Sequence, residues 1–358
     1  MKSDINEQKQ SPKFKGMHRI ERLRSQFALG AVLLSKGRIT LRKIINTLHN
    51  SLAFILRLKK SGKSPSVALF DISSHCNLYC VTCRNSRTDL IDMMGQTEEK
   101  IILGNLELER FCKIIDDVYM ELLLAALYTS GEPLLNKHIY DMVAYCNKKG
   151  VATMISSNGM LATPDVAEKL LKSGLDYFKV AVSGFTQDVY HTYHRGGEIS
   201  TILENMVAFS SLRKELGIAC MLVIDYIVFE HNQHQVDLIR EFCKKHDLTF
   251  SVRYGRVLPE SGLQRLPESE ELFLPKSGAC DWLWKIMSFC TDGRSVPCCR
   301  FATSANSPFV FGIGGDQNVQ SIWNNEAYRK FRDTHTRFGR TKLPMCNDCF
   351  YSGIDFQS

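Results

Sequence analysis

The sequence predicts an α/β fold with a parallel sheet over residues 64–255. Six strand-like apolar runs are separated by helical segments along this stretch, and such alternation is typical of parallel sheets. Polar turn motifs follow the first four strands. They would lie at the carboxyl edge of the sheet, where functional sites lie in barrels of alternating strands and helices. Six strand–helix units are two short of a closed eight-fold barrel.

The composition is that of an ordinary globular chain. The 358 residues are 44% hydrophobic and 23% charged, which is ample material for a core. Residues 1–63 hold 15 Lys or Arg against 3 Asp or Glu, whereas the remainder holds 30 against 35. A nucleic-acid enzyme more often carries its positive charge around the active site, so this distribution argues against a nucleic-acid partner.

Residues 1–63 form a basic segment ahead of the predicted sheet. We expect residues 1–26, which are polar and basic, to be poorly ordered at their start. The apolar run 27–34 is too short to span a bilayer, and no small-residue cleavage site follows it. The expected location is therefore the cytoplasm.

Residues 41–58 show the periodicity of an amphipathic helix, with basic residues around it. The apolar face can pack on the main domain. Alternatively, residues 41–60 can contact an anionic membrane surface, which would make the protein peripheral at the inner face of the membrane. Residues 61–65 are predicted to be a linker.

The elements of the predicted sheet follow in order. Strands are expected at 67–73, 122–128, 151–156, 177–182, 219–229 and 248–254. Helices are expected at 106–120, 136–149, 163–172, 199–216 and 233–246. Several helices end at glycine, a common stop signal.

Three cysteines follow the first strand with the spacing CxxxCxxC. They are Cys76, Cys80 and Cys83. Three thiolates on a four-iron cluster would leave one iron without a protein ligand, whereas such clusters normally take four thiolates. Two alternatives remain, a zinc site completed by His75 and buried thiols without a ligand.

This loop resembles the signature of the radical S-adenosylmethionine (SAM) superfamily. The resemblance implies a partial (β/α)6 TIM-like barrel and a 4Fe–4S cluster whose open iron chelates SAM. It also implies reductive cleavage of SAM to a 5′-deoxyadenosyl radical, which abstracts hydrogen from substrate. An external reductant such as flavodoxin or ferredoxin would supply the electron.

Four further motifs resemble the SAM contacts of that superfamily. Residues 130–133 (SGEP) resemble its GGEP stretch, with Ser130 in place of the first Gly. The implied SAM-binding residues are Gly131, Glu132, Pro133, Ser157, Asn158, Ser183 and Arg195. Three of the motifs have a structural alternative: an ordinary turn for 130–133, an Asn-Gly turn for 157–159, and an exposed loop arginine for Arg195.

The C-terminal cysteines resemble the SPASM or twitch domain. Cys280 is followed by Gly293 and then, five residues later, by Cys298, and a final pair is formed by Cys346 and Cys349. The resemblance implies one auxiliary 4Fe–4S cluster bound by these four, in a domain spanning 279–358 after a bridge at 256–278. A structural zinc site is the alternative, and Cys290 or Cys299 could replace Cys298.

The sequence does not identify a catalytic residue. Asp225, Tyr226, His231, Asn232 and Arg253 lie on or just after late strands, so they are weak candidates to face the substrate.

These observations predict a radical SAM enzyme acting on a sugar or other small metabolite. A ribosomal peptide is the alternative substrate. Residues 1–63 are too short and lack the strand pattern for a peptide-docking domain, which favours the small molecule. A third hypothesis, from another functional class, is a zinc- or cluster-bearing binding protein without enzymatic activity.

Overall fold

The computed structural model describes residues 13–83, 103–301, 307, 309–343 and 346–350. It confirms the α/β class with a parallel sheet at its core. The expected poor order at the start of the chain falls largely on residues 1–12, which lie outside the described residues.

The described residues form nine strands and eleven α-helices. The strands are β1 (Val67–Phe70), β2 (Leu124–Ala126), β3 (Ala152–Ser157), β4 (Tyr177–Val182), β5 (Met221–Val228), β6 (Thr249–Tyr254), β7 (Ile286–Phe289), β8 (Arg294–Val296) and β9 (Gly312–Ile313). The helices are α1 (Lys13–Ser35), α2 (Leu41–Ile55), α3 (Leu108–Val118), α4 (Ile139–Lys148), α5 (Pro164–Ser173), α6 (Gln187–His191), α7 (Ile199–Glu215), α8 (Val236–Lys245), α9 (Trp282–Lys285), α10 (Val319–Trp323) and α11 (Glu326–Phe338).

All nine strands belong to one sheet, in the order β6-β5-β4-β3-β2-β1-β7-β8-β9. The strands from β6 to β7 are parallel, whereas β8 and β9 are antiparallel. The six predicted strands are therefore neighbours in chain order, as in a partial (β/α)6 barrel. Their carboxyl ends lie at one edge, which gathers the motifs that follow them.

The outer face of this sheet packs against the helices that connect its strands. Helix α3 buries Phe111, Ile114, Ile115 and Val118, the four residues that its periodicity places on one face. Phe178 of β4 packs on Phe209 of α7, with ring centroids 4.8 Å apart. Burial of these apolar faces is the main stabilising contribution to the barrel wall.

The inner face is closed at its base by α1. Leu33 of α1 is 6% exposed and joins Leu69, Met154 and Tyr177 in one apolar cluster, with Leu29 packed beside it. This helix was not expected from the sequence, because residues 1–26 are polar and basic and residues 27–34 form only a short apolar run. Apolar residues at helical spacing in α1 gain a partner only inside the barrel, and this contact is not visible in the sequence.

A buried ion pair fixes the chain after α1 to the barrel base. Arg38 Nε lies 3.0 Å from Asp176 Oδ1, and Lys36 Nζ lies 2.9 Å from the same oxygen. Asp176 precedes β4 and also accepts a hydrogen bond from the backbone N–H of Thr153, at 2.9 Å. The pair therefore joins the basic segment to the amino ends of β3 and β4.

Helix α2 packs on the main domain, but through its polar face. Its buried residues are Lys43, Asn46, Asn50 and Ala53, so the apolar face does not pack on the main domain. Thr40 begins the helix, because its hydroxyl accepts a hydrogen bond from the backbone N–H of Lys43 at 3.4 Å.

The C-terminal region continues the barrel sheet. Strand β7 pairs in parallel with β1, so that Phe70 lies beside Phe289, and their rings stack at 5.2 Å. Between β6 and α9, 3₁₀ turns lie at Pro259–Ser261 and Pro267–Phe273. The predicted division into 1–63, 64–255, 256–278 and 279–358 stays a prediction.

Candidate functional site

The cysteine loop follows β1 at the carboxyl edge of the sheet. Two backbone hydrogen bonds hold it against the chain after α6: Tyr79 N–H donates to the Arg195 carbonyl at 2.9 Å, and Val81 N–H to the Tyr193 carbonyl at 3.0 Å. The sequence motif around Arg195 is thereby placed directly beside the cysteines.

The three thiols of this loop lie close enough to influence one another. Burial raises the pKa of Cys76, and the neighbouring Cys83 raises it further. Burial also raises the pKa of Cys80, with additional contributions from Cys83 and Cys76. Ionising three adjacent thiols is costly unless a cationic centre takes up the charge, and metal binding does this by displacing their protons. The donor set therefore fits a cluster.

Gly131 lies where the turn after β2 crosses the backbone before Cys76. A Cβ at this position would lie 2.3 Å from the Ser73 carbonyl oxygen and 2.4 Å from that of His75. The Glu132 N–H donates to the same His75 carbonyl at 2.7 Å. Ser130, which replaces a glycine of the family motif, donates its hydroxyl to Asp71 Oδ1 at 2.7 Å. The serine thus has a partner of its own at the end of β1.

The Glu132 carboxylate joins the turn after β2 to the end of β3. Its Oε1 accepts from the Ser157 hydroxyl at 2.8 Å, and its Oε2 accepts from the Asn158 N–H at 2.8 Å. Burial raises the pKa of Glu132, although these hydrogen bonds oppose the shift. Pro133 is buried and begins a 3₁₀ turn. Contact of these residues with SAM stays a prediction.

Asn158 connects the end of β3 to the cysteine loop. Its Nδ2 donates to Asn77 Oδ1 at 2.7 Å and lies 3.9 Å from the Cys76 sulfur. Gly159 follows with a φ of +83°, a conformation that favours glycine. The structure therefore has both the Asn-Gly turn and the position beside the cysteines. The structural interpretation of this motif and the SAM-binding one are compatible.

Ser183 and Arg195 lie on either side of a buried histidine. Ser183 Oγ is 2.7 Å from His194 Nδ1, and the His194 ring stacks on Tyr190 with centroids 4.8 Å apart. Burial lowers the pKa of His194 to about 3, so the imidazole is neutral. The Arg195 side chain is exposed at the site.

Two of the weak catalytic candidates meet in the barrel interior. Asp225 of β5 is fully buried, and its Oδ2 lies 2.7 Å from Arg253 Nε of β6 and 3.7 Å from Lys179 Nζ of β4. Ser251 donates its hydroxyl to the other Asp225 oxygen at 2.9 Å. Tyr177 belongs to the inner apolar cluster that packs on α1. Lys179 lies two residues further along β4 and points to the same face. The charged group is therefore nearer the carboxyl ends of the strands than this cluster.

The structure places the remaining candidates elsewhere. Tyr226 is buried on the outer face of β5, and its hydroxyl donates to the Asn232 carbonyl at 2.7 Å. Asn232 Nδ2 donates to the Ser183 carbonyl at 2.8 Å and ties the ends of β4 and β5 together. His231 lines a separate surface cavity with Thr192 and residues 262–264, and burial lowers its pKa.

The four predicted auxiliary ligands line one cavity. They are Cys280, Cys298, Cys346 and Cys349, whereas Cys290 and Cys299 are not among its lining residues. Burial raises the pKa of Cys346 to about 12. Arg340 also lines the cavity, with Nη1 3.6 Å from the Cys349 sulfur.

His335 is a buried polar group without a partner at this cavity. It is 1% exposed, and neither ring nitrogen has a hydrogen-bond partner in the described part of the chain. The four thiols and this imidazole fit a sulfur-rich cluster with acceptor atoms. Across the described ranges, no three His, Cys, Asp or Glu side chains surround a single metal position.

Three residues of the site were not expected from the sequence: Lys179, Asp71 and His194. Lys179 interrupts the otherwise apolar run of β4, and lysine is almost never fully buried unless it is paired, so this was an available signal. Asp71 is likewise a charged residue beside an apolar run, directly after β1. His194 lies beside Arg195, but its contact with Ser183 depends on tertiary structure.

Two family models match most of the chain. Residues 71–242 match the Radical SAM superfamily, and residues 280–350 match SPASM, an iron–sulfur cluster-binding domain. The second match begins at Cys280 and contains the other three cavity cysteines.

Two individual proteins are similar to this chain in sequence. The tungsten-containing aldehyde ferredoxin oxidoreductase cofactor-modifying protein of Pyrococcus furiosus is 26% identical over 324 residues, covering 78% of this chain and 85% of that protein. The Fe-coproporphyrin III synthase of Methanosarcina barkeri is 29% identical over 133 residues, 37% of this chain and 30% of that protein.

Solved structures share the fold. Streptococcus suis SuiB bound to S-adenosylmethionine superposes with a TM-score of 0.60 at 14% identity, over 83% of this chain and 74% of that one. The same protein bound to its precursor peptide SuiA gives a TM-score of 0.57 at 15% identity, over 81% and 70%. Identity this low shows a common fold only.

Proposed function

We propose a substrate class from the premise that this chain belongs to the radical SAM superfamily, as an enzyme with a C-terminal SPASM iron–sulfur domain. Its cofactors are a 4Fe–4S cluster, SAM and an auxiliary cluster. The proposed substrate is a small polar metabolite of the sugar type, bound inside the barrel and losing a hydrogen atom there. The observation behind this proposal is the charged group formed by Lys179, Asp225 and Arg253.

The chain's own residues would hold the cofactors as follows. Cys76, Cys80 and Cys83 would hold the first cluster, and Cys280, Cys298, Cys346 and Cys349 the auxiliary one. Gly131, Glu132, Pro133, Ser157, Asn158, Ser183 and Arg195 would surround SAM. When bound, the first cluster and SAM supply one-electron chemistry and hydrogen-atom abstraction. A flavodoxin or ferredoxin is the proposed reductant.

The barrel interior would bind and orient the substrate. Arg253 Nε donates a hydrogen bond to Asp225 Oδ2, which orients the guanidinium, and a guanidinium is suited to bind a carboxylate or phosphate. Arg253 is 29% exposed, whereas Lys179 and Asp225 are almost fully buried. A substrate with hydroxyl and anionic groups can replace the water that such side chains would otherwise bind.

Two features would exclude water from the reacting centre. The apolar cluster around Leu33 closes the base of the barrel, and the buried Ser183, His194 and Asn232 pack together at the carboxyl ends of β4 and β5. Neutral His194 adds no charge at this position. Exclusion of water protects a reactive species from solvent hydrogen.

The test measures 5′-deoxyadenosine release from anaerobic, iron-replete protein with SAM and dithionite. The probes are hexose phosphates, sugar acids and nucleoside-diphosphate sugars on one side, and synthetic peptides on the other. At least one anionic sugar should stimulate release. Arg253→Gln should raise its half-saturating concentration about tenfold, the loss of roughly one charged hydrogen bond, whereas Lys245→Gln on α8 should not.

Stimulation by peptides alone would support the ribosomal-peptide alternative and overturn the substrate class. An unchanged half-saturating concentration in Arg253→Gln would remove the charged group from the substrate site. Failure of the iron-replete protein to release 5′-deoxyadenosine under any condition would contradict the proposed cleavage of SAM and hydrogen abstraction.

A further inference from the structure

Helix α2 turns its apolar face to solvent. Leu41 is 72% exposed, Leu48 61% and Ile55 69%. The full set of exposed apolar residues on this helix and its end, here called the α2 stripe, is Leu41, Ile44, Ile45, Leu48, Leu52, Ile55 and Leu56. Their spacing places them along one side of the helix. Large exposed apolar patches mark interaction sites.

The opposite, polar face of α2 is fixed to the barrel. Lys43 Nζ donates to the Gly150 carbonyl at 2.5 Å. Asn46 Nδ2 and Asn50 Nδ2 each donate to the Ser64 carbonyl at 2.9 Å. Rotating the helix to bury the stripe would leave these buried groups without partners, which is strongly unfavourable. The exposure of the stripe is therefore built into the fold.

The surroundings of the stripe are strongly basic. Residues 22–70 contain ten Lys or Arg and no Asp or Glu. Arg57, Lys59, Lys60 and Lys63 are exposed just after α2.

Acidic groups from neighbouring elements offset part of this charge. Lys59 lies 3.3 Å from Asp333, and both Lys63 and Arg42 pair with Glu121. These two carboxylates, of which Glu121 is almost fully buried, stand against five cations: Arg42, Arg57, Lys59, Lys60 and Lys63. The end of α2 therefore keeps a positive character.

We propose that the α2 stripe docks on the surface of an anionic phospholipid membrane, with Arg57, Lys59, Lys60 and Lys63 at the headgroups. Apolar residues in a single stripe with adjacent cations are the pattern of an interfacial helix. A second copy of the chain fits less well, because a symmetric contact would bring together two surfaces that carry the same net positive charge. Among the described helices, none has the length and hydrophobicity needed to cross a bilayer.

This docking would orient the enzyme with its active site towards water. The anchors of α2 are Ser64, just before β1, Glu121, before β2, and Gly150, before β3. The stripe is thus at the amino ends of the strands, whereas the cysteine loop is at their carboxyl ends. Membrane contact leaves the barrel mouth open to solvent, so the proposal does not depend on the substrate class.

The experiment is co-flotation of the full-length protein with vesicles. One set is phosphatidylcholine alone, and the other contains about 30 mol% phosphatidylglycerol, enough for a negative surface potential. Binding to the anionic vesicles should be at least about tenfold tighter and should weaken with added salt. The double variant Leu48→Ser/Leu52→Ser should lose about tenfold or more of this binding.

Two further variants separate the contributions. Leu238→Ser removes a leucine of α8 that is 47% exposed, and it should bind like the parent protein. Lys59→Gln/Lys60→Gln should weaken binding to anionic vesicles only. Circular dichroism spectra should match for all proteins, because each changed side chain is exposed.

Three results would overturn the proposal. One is the absence of binding to anionic vesicles, and another is equal binding by the parent and Leu48→Ser/Leu52→Ser proteins. The third is a dimer in light scattering that this double variant disrupts, which would assign the stripe to a second copy.

Discussion

Gly131 is the residue at which the turn after β2 touches the chain leading into the cysteine loop. We expect Gly131→Ala to destabilise the fold by about 1–3 kcal/mol, because its Cβ would meet two backbone carbonyls that cannot rotate away. Iron content after reconstitution should fall as well, since the same backbone positions Cys76. Chemical denaturation and iron analysis measure the two effects.

Gly104→Ala is the matched control for this substitution. Gly104 lies near the same turn, but a Cβ there would meet only Thr291, at an ordinary 3.7 Å. Its stability and iron content should stay close to those of the parent. If both alanine variants behaved alike, close backbone approach at Gly131 would not be the cause.

His194 makes stability depend on pH. Its pKa is lowered by burial to about 3 in the folded protein, against about 6.5 in an unfolded chain. As pH falls below about 6.5, the unfolded state binds the proton first, so stability is lost over the window down to pH 3. The expected loss is about 1.4 kcal/mol per pH unit, measured by denaturation at pH 7.5 and pH 5.

His194→Gln should lose less stability than the parent between these two pH values. Other buried histidines, such as His335, whose pKa is lowered to about 4, contribute equally to both proteins. Equal losses in the two proteins would mean that His194 is protonated or exposed in solution.

At the scale of elements, α1 is the part of the structure that closes the barrel base. Leu33→Ala should cost about 2–5 kcal/mol, because it leaves a cavity between α1 and the inner face of the sheet. Leu34 is the adjacent residue of the same type but is 65% exposed. Leu34→Ala should therefore stay within about 0.5 kcal/mol of the parent. Urea denaturation of the two variants measures the difference.

A different outcome is expected if α1 does not enter the barrel. Leu33→Ala and Leu34→Ala would then have similar, small effects.

At the scale of the whole molecule, a single nine-stranded sheet carries both cysteine sites. Strand β7 joins β1 directly, so the region from Cys280 onward extends the barrel wall. We expect about eight irons per chain in reconstituted protein, four for each cluster. Cys298→Ala should retain about four, because Cys298 lines the auxiliary cavity. Iron analysis and visible absorption under anaerobic conditions test this.

Cys299→Ala changes the neighbouring cysteine, which is outside the cavity lining, and should retain about eight irons. Loss of iron from Cys299→Ala but not from Cys298→Ala would exchange the two residues in the ligand set.

The sequence by itself determined the six alternating units and the family resemblance, because both depend on local patterns. The period of apolar residues predicted α3 and the four residues it buries, and cysteine spacing carried the family resemblance, whose implied ligand sets stay predictions. These signals lie within short stretches of chain, so they survive without knowledge of the fold.

Only the tertiary structure decided which face of an element is buried and what it meets. Periodicity identified α2 as a helix, but the partners of Lys43, Asn46 and Asn50 lie on distant strands, and they turned its apolar face outward. Asp225 and Tyr226 are neighbours in a strand and therefore point to opposite faces, but only the tertiary structure decided which of the two faces the barrel interior. Burial is a property of contacts between remote segments, and the sequence alone does not specify which segments meet.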